Sequence, residues 1–130
     1  MQDLKDPNDY IDLFFNERWT NYALDNSDEI PNLLLELEKE THQKVLQPRM
    51  MSSPLQGRLL SFISNILRPK KILEIGTYTG YSSLCLAEGL DENGELHTID
   101  PHEALVLIQK KYVNKSIFKN KIHSHLGNAL

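Results

Sequence analysis

The stretch Ile72-Leu73-Glu74-Ile75-Gly76-Thr77-Tyr78-Thr79-Gly80-Tyr81-Ser82 restricts what this 130-residue chain can fold into more than any other feature. A short apolar run ends in glycine, a second glycine follows, and a segment of helical periodicity begins at once. That is the pattern of a strand turning sharply into a helix. Downstream the alternation repeats. A helix is predicted from Tyr81 to Leu90, a strand from Leu96 to Asp100, and a helix from about Glu103 to Tyr112 behind Pro101. Lys121-Ile122-His123-Ser124-His125-Leu126 then alternates as a half-buried strand does. A βαβαβ order requires right-handed crossovers and a parallel sheet. The expected fold class is α/β, three strands making the first half of a doubly wound parallel sheet.

Helices are predicted ahead of this unit. Asn8 or Asp9 can cap a first one carrying Ile11, Phe14, Phe15, Trp19 and Tyr22 at helical spacing. A second, with Pro31 near its start, turns Ile30, Leu33, Leu34 and Leu37 to one face. Ser53-Pro54-Leu55-Gln56 has the form of a capped helix opening, and the third helix is expected to bury Leu59, Phe62, Ile63, Ile66 and Leu67. The organisation read from this is a helical segment over 1–47 and an α/β unit over 48–130.

With 40% hydrophobic and 25% charged residues the chain supports one core. Its apolar runs fall far short of the roughly 20 residues that cross a bilayer, so no membrane association is expected. The N-terminus has no basic leader or apolar signal core, and Cys85 is the single cysteine, which excludes a disulfide framework and makes a reducing cytoplasm the expected compartment. The net charge of -4 divides into -8 over residues 1–40 and +4 over the remainder. The basic tail, Lys110, Lys111, Lys115, Lys119 and Lys121, lacks the interleaved aromatics and arginines of a nucleic-acid surface. It reads instead as a face complementing the acidic arm, within the chain or across a dimer.

The chemistry concentrates at the strand ends, where doubly wound sheets bind ligands. Gly76 and Gly80 permit a tight turn and close approach of a ligand, and their spacing does not match the dinucleotide signature. A carboxylate at Glu74 is poorly placed for pyrophosphate and well placed for a cationic or hydroxyl-rich ligand. Asp100, at the end of the second strand, can accept hydrogen bonds from both hydroxyls of a ribose. Each residue also has a plain structural reading: Asp100 as a helix cap, Glu74 as an acid satisfied locally. His123 and His125 share a strand face, but without further ligands they do not make a zinc site on spacing alone. Cys85 reads as a small core residue, and His97 and His102 as structural.

Met50 through Ser82, with Asp100 and Gly127-Asn128-Ala129-Leu130, resembles the cation-dependent O-methyltransferases of the caffeoyl-CoA and catechol type, including their bacterial relatives. The carriers are Met50-Met51-Ser52-Ser53-Pro54-Leu55-Gln56-Gly57, the Leu73 to Ser82 stretch, and Asp100. The resemblance implies a Rossmann-like class I methyltransferase fold and S-adenosyl-L-methionine as methyl donor. It places Met50 and Ser52 beside the cofactor, Glu74 and Gly76 at its amino-acid part, and Tyr78 and Ser82 at its methionine end, with Gly80 also among the cofactor-binding residues. Asp100 then takes the ribose, and Asn128 and Ala129 lie against the adenine. It further implies a small catechol-like hydroxyl acceptor, a homodimer, and a divalent cation (Mg) whose ligands, with the catalytic residues, belong to the part of the family's domain beyond the position of Leu130. Two readings of the chain stay open: a truncated piece of a longer methyltransferase, or a degenerate protein keeping the cofactor-binding half. The rival functions are a nicotinamide-binding oxidoreductase fragment and a non-catalytic partner subunit.

Overall fold

The computed structural model describes residues 17–130. Helix α1, Glu17–Asp25, leads through a polar break to α2, Asn32–Lys44, whose N-cap is Pro31. A 3₁₀ turn over Pro48–Met50 precedes α3, Pro54–Leu67. The α/β unit follows as β1 (Lys71–Ile75), α4 (Tyr81–Ala87), β2 (Glu95–Asp100), a 3₁₀ turn (Glu103–Leu105), α5 (Val106–Lys115) and β3 (Ile122–Leu126). All strand pairs are parallel, in the order β1-β2-β3, with Glu74 opposite Thr98 and His97 opposite His123. The expected half of a doubly wound sheet is therefore present. The proposed cap at Asn8 or Asp9, with Ile11, Phe14 and Phe15, lies outside the described residues; Trp19 and Tyr22, which do lie within them, are exposed.

Side-chain alternation sorts the sheet into two faces. One, bearing Leu96, Thr98 and Ile122, is sealed by Tyr81, Leu84, Cys85 and Ala87 of α4, by Tyr112 and Val113 of α5, and beyond them by Leu34 and Leu37 of α2. Burial pushes the Cys85 thiol up to about 12, as suits a core residue rather than a nucleophile. The opposite face carries Leu73 and Ile75, 73% and 69% exposed, together with His97, His123 and His125.

Helix α3 corrects the sequence reading. Leu59, Phe62, Ile63, Ile66 and Leu67 are all exposed, and the buried stripe is Gly57, Arg58, Ser61 and Ser64. The reason is the close approach of α4. A side chain at Gly57 would meet the Tyr81 ring at 2.7 Å and the Cys85 sulfur at 2.9 Å, so only small residues fit there. Arg58 reaches across to Glu88 with two parallel bonds, Nη2 to Oε1 at 2.8 Å and Nη1 to Oε2 at 3.0 Å, while Ser61 donates to Glu88 Oε2 and Ser64 to the carbonyl of Leu86 at 2.6 Å. The helix opening is as expected, with the amide of Gln56 donating to Ser53 Oγ at 3.2 Å.

Among the described residues, part of the acidic arm meets the basic tail within the chain. Lys111 pairs with Glu40, Lys115 with Glu36 at 2.8 Å, and the Tyr112 hydroxyl donates to Glu40 at 2.7 Å, docking α5 on α2. Hydrogen bonds from Lys111, then Tyr112 and Lys44, lower the Glu40 carboxyl from its ordinary 4.5 to about 2. A carboxyl depressed on folding stabilises above its unfolded pKa and loses that contribution as pH falls through its folded one. Wild-type protein is therefore expected to lose more stability between pH 4.5 and about 2 than Glu40→Gln does, measured by urea denaturation at each pH. Equal slopes for the two would remove this ion-pair account.

Candidate functional site

The site lies at the carboxyl ends of β1 and β2, where the chain leaves the sheet through two glycines. Gly76 and Gly80 take φ of +96° and +93°, conformations open to glycine at little cost, and at neither would a Cβ meet any atom within 4 Å. The amide of Gly76 closes the ladder on the carbonyl of Ile99 at 2.9 Å, and the amide of Gly80 bonds to the carbonyl of Thr77 at 2.9 Å. Between them Tyr78 is also left-handed, with φ +50°. That conformation costs a non-glycine residue of order 1 kcal/mol or more, and three bonds hold it. The Tyr78 amide donates to Asp100 Oδ2 at 2.8 Å, its carbonyl accepts from Gln109 Nε2 at 2.7 Å, and its hydroxyl donates to the carbonyl of Gln47 at 2.6 Å.

Asp100 is buried at the tip of β2. Burial alone would raise its pKa, but hydrogen bonds from the amides of Tyr78 and His102 and from the His102 ring bring it below the ordinary carboxylate value. Oδ1 accepts from the His102 amide at 2.8 Å and lies 2.7 Å from His102 Nδ1. The local turn role and the strand-end position therefore coexist in one residue.

Two adjoining depressions open here. A shallow one is lined by Met50, Met51, Ser52, Gly76, Tyr78 and Ser82, among others. A concavity of about 350 Å³ runs past Met50, Gly76, Tyr78 and Asp100 to Asn128 and Ala129. The residues singled out in the sequence thus converge, although they come from the 3₁₀ turn, both strand ends and the segment after β3. Glu74 and Gly80 do not line these depressions. Gly80 serves as the N-cap of α4. Glu74 points under α4, where Oε1 accepts from Ser82 at 2.6 Å and Oε2 accepts from Thr98 at 2.5 Å and from Ser83. Since the Thr98 proton goes to Glu74, the Thr77 hydroxyl is the donor in its 2.6 Å bond to Thr98. Glu74 thereby anchors the first turn of α4 and the floor of the site.

Sequence reasoning missed Thr77, Ser83, Thr98 and Gln109. Thr98 could have been found, since it lies two residues before Asp100 and so on the same sheet face. Gln109 had no local signal. Tyr81 is resolved as a core ring, and its hydroxyl is buried with no hydrogen-bond partner among the described residues.

Comparison with known proteins agrees with this geometry. A family model described as O-methyltransferase matches residues 24–130. O-methyltransferase ankF of Aspergillus thermomutatus is 33% identical over 110 residues, covering 84% of this chain and 46% of the relative. Caffeoyl-CoA O-methyltransferase of Stellaria longipes is 31% identical over 120 residues, covering 91% and 49% respectively. The crystal structure of the SAH-bound methyltransferase PaMTH1 of Podospora anserina matches with a TM-score of 0.81 at 30% identity, over 88% of this chain and 49% of that one. The chain spans about half the length of these relatives. A match that begins within α1 and takes in every later element of the glycine turn, the Asp100 strand end and the segment after β3 leaves one conclusion: the chain belongs to the O-methyltransferase family.

Proposed function

We propose that this chain holds the methyl-donor site of an S-adenosyl-L-methionine-dependent O-methyltransferase. The observation that carries the reading is the single concavity on which Met50, Gly76, Tyr78, Asp100, Asn128 and Ala129 converge. Its one carboxylate, together with open space above both glycines, suits a ligand that is cationic and rich in hydroxyls and has no phosphate. When bound, that ligand supplies a methyl group activated by its sulfonium. The chain's own residues bind and orient. Asp100 receives the ribose, Met50 and Ser52 flank the ligand, Ser82 and Tyr78 meet its amino-acid end, and Asn128 and Ala129 lie against the base. Glu74 acts through Ser82, whose hydroxyl it holds.

Hydrogen-bond arithmetic adds a requirement. A carboxylate offers about four acceptor positions. In Asp100 they already receive the Tyr78 amide, the His102 amide and the His102 ring. Binding both ribose hydroxyls therefore requires the exposed His102 imidazole to leave Oδ1.

The nicotinamide alternative is set aside by family membership. The divalent cation implied by the resemblance takes its ligands, on that resemblance, from beyond the position of Leu130 and not from the described residues of the crevice. Magnesium takes a set of oxygen ligands, and the crevice offers one carboxylate already engaged by three donors. A small hydroxyl-bearing acceptor, a homodimer and a cytoplasmic setting belong to the same proposal. The single buried cysteine supports the last of these. Among the described residues no helix is long and apolar enough to cross a membrane.

Calorimetry with adenosylhomocysteine tests the reading. Asp100→Ala is expected to weaken binding about tenfold or more, the worth of one charge-assisted hydrogen bond. Unchanged affinity in this variant, or no binding to the wild-type chain at millimolar ligand, would remove the site.

A further inference from the structure

At the other end of the strands, on the sheet face turned away from α4 and α5, a second cluster of ligating groups assembles from two neighbouring strands. Glu95 and His97 stand two apart on β2, and His123 is the register partner of His97 on β3. One ligand atom from each lies within 4.8 Å of the other two. His97 Nε2 is 3.6 Å from Glu95 Oε1, and His123 Nε2 is 4.0 Å from Glu95 Oε2. The His97 and His123 rings stack with centroids 4.8 Å apart. His125 also stacks on His97, with its Nε2 2.9 Å from His97 Nδ1.

We propose that Glu95, His97 and His123 form a binding site for a late first-row divalent metal ion of the zinc type, with His125 as the residue that positions His97. Two imidazoles and a carboxylate are the donor set such ions take, and they leave a coordination position for water. Ligand atoms about 2.0–2.1 Å from a tetrahedral ion are about 3.4 Å from one another, so the present separations close by side-chain rotation alone. The hydrogen bond to His125 allows His97 to carry its proton on Nδ1. With its proton on Nδ1 and donated to His125, its Nε2 lone pair is the one that faces Glu95. Lys71 Nζ, 3.5 Å from Glu95 Oε1, is the competing cation, and its side chain is 82% exposed, so it withdraws into water when an ion enters. The imidazoles are 39% and 44% exposed, which leaves an entry path. The site does not share a residue with the crevice at Asp100, and hard cations such as magnesium are poorly served by its nitrogens.

Zinc titration of the 130-residue chain, read by competition with a chromophoric chelator and by the ¹⁵N resonances of its imidazoles, tests the proposal. One equivalent is expected to bind, moving the His97 and His123 resonances and leaving His42 in place, with no response to millimolar magnesium. His97→Ala and His123→Ala are each expected to weaken binding at least about a hundredfold, and His125→Ala about tenfold. His125→Gln, which keeps an acceptor for the His97 proton, restores most of that loss. The proposal is overturned if zinc does not bind below about 1 mM, if the alanine variants bind as wild type does, or if the shifts fall on His42 or His102 instead. The resonance readout on the wild-type chain stands even where a variant fails to fold.

Discussion

Replacing Gly89 by alanine is expected to destabilise the protein by about 3 kcal/mol or more, the upper end of what overpacking costs. The added Cβ would lie 2.1 Å from the carbonyl carbon of Ser64, 2.2 Å from the Asn65 nitrogen and 2.5 Å from the Ser64 oxygen. All three are backbone atoms of α3, so no side-chain rotation relieves the clash and the segment after α4 must move away from α3. That movement stretches the Ser64 to Leu86 bond and the Arg58–Glu88 pair that sit in the same interface. Gly127→Ala serves as the control. Its Cβ meets nothing closer than Ile99 Cδ1 at 3.8 Å, and a change within about 0.5 kcal/mol is expected, as for an ordinary surface position. A Gly89→Ala protein with a wild-type urea midpoint would show that α3 and the end of α4 do not approach this closely.

The Arg58–Glu88 pair yields the second large effect. Arg58→Met leaves the Glu88 carboxylate partly buried with only Ser61 to meet it, since the Arg58 side chain is 9% and Glu88 22% exposed. Removing one partner of a buried pair costs roughly 3–5 kcal/mol, and the partial exposure of Glu88 places this case near 3. The double variant Arg58→Met/Glu88→Leu is expected to recover more than half of that loss, because two apolar residues of similar volume carry no desolvation cost. Arg58 Nε supports this, since it is buried without a partner among the described residues and the native pair is incompletely satisfied. A double-mutant cycle in which the two losses simply add would contradict a direct interaction across α3 and α4.

Both effects sit in an interface that hydrophobic periodicity places on the wrong side of α3. The pattern Leu59, Phe62, Ile63, Ile66, Leu67 identifies a face able to be buried. Which face is buried depends on what stands opposite: the Tyr81 ring and Cys85 sulfur leave room only for Gly57, Glu88 receives Arg58 and Ser61, and the Leu86 carbonyl receives Ser64. The same holds for Glu40 and Lys111, 71 residues apart in sequence, whose pairing no local window contains. The triad of Glu95, His97 and His123 was half legible: the alternation puts His123 and His125 on one face, but only the β2–β3 register brings His97 and Glu95 to them.

The sequence by itself determined the alternation of strands and helices, the parallel sheet, the glycine turn after β1 and the place of Asp100 at a strand end. These follow from local periodicity, from the conformations that only glycine adopts freely, and from the handedness of crossovers, all of which act over a few residues or over the connection between adjacent elements. Tertiary structure alone decided which face of α3 is buried, that Tyr78 is held left-handed by Asp100 and Gln109, and that Glu74 is closed off by Ser82, Ser83 and Thr98. A polar group is buried at low cost only where a partner in space satisfies it, and that partner is set by packing between distant segments, which no spacing along the chain records.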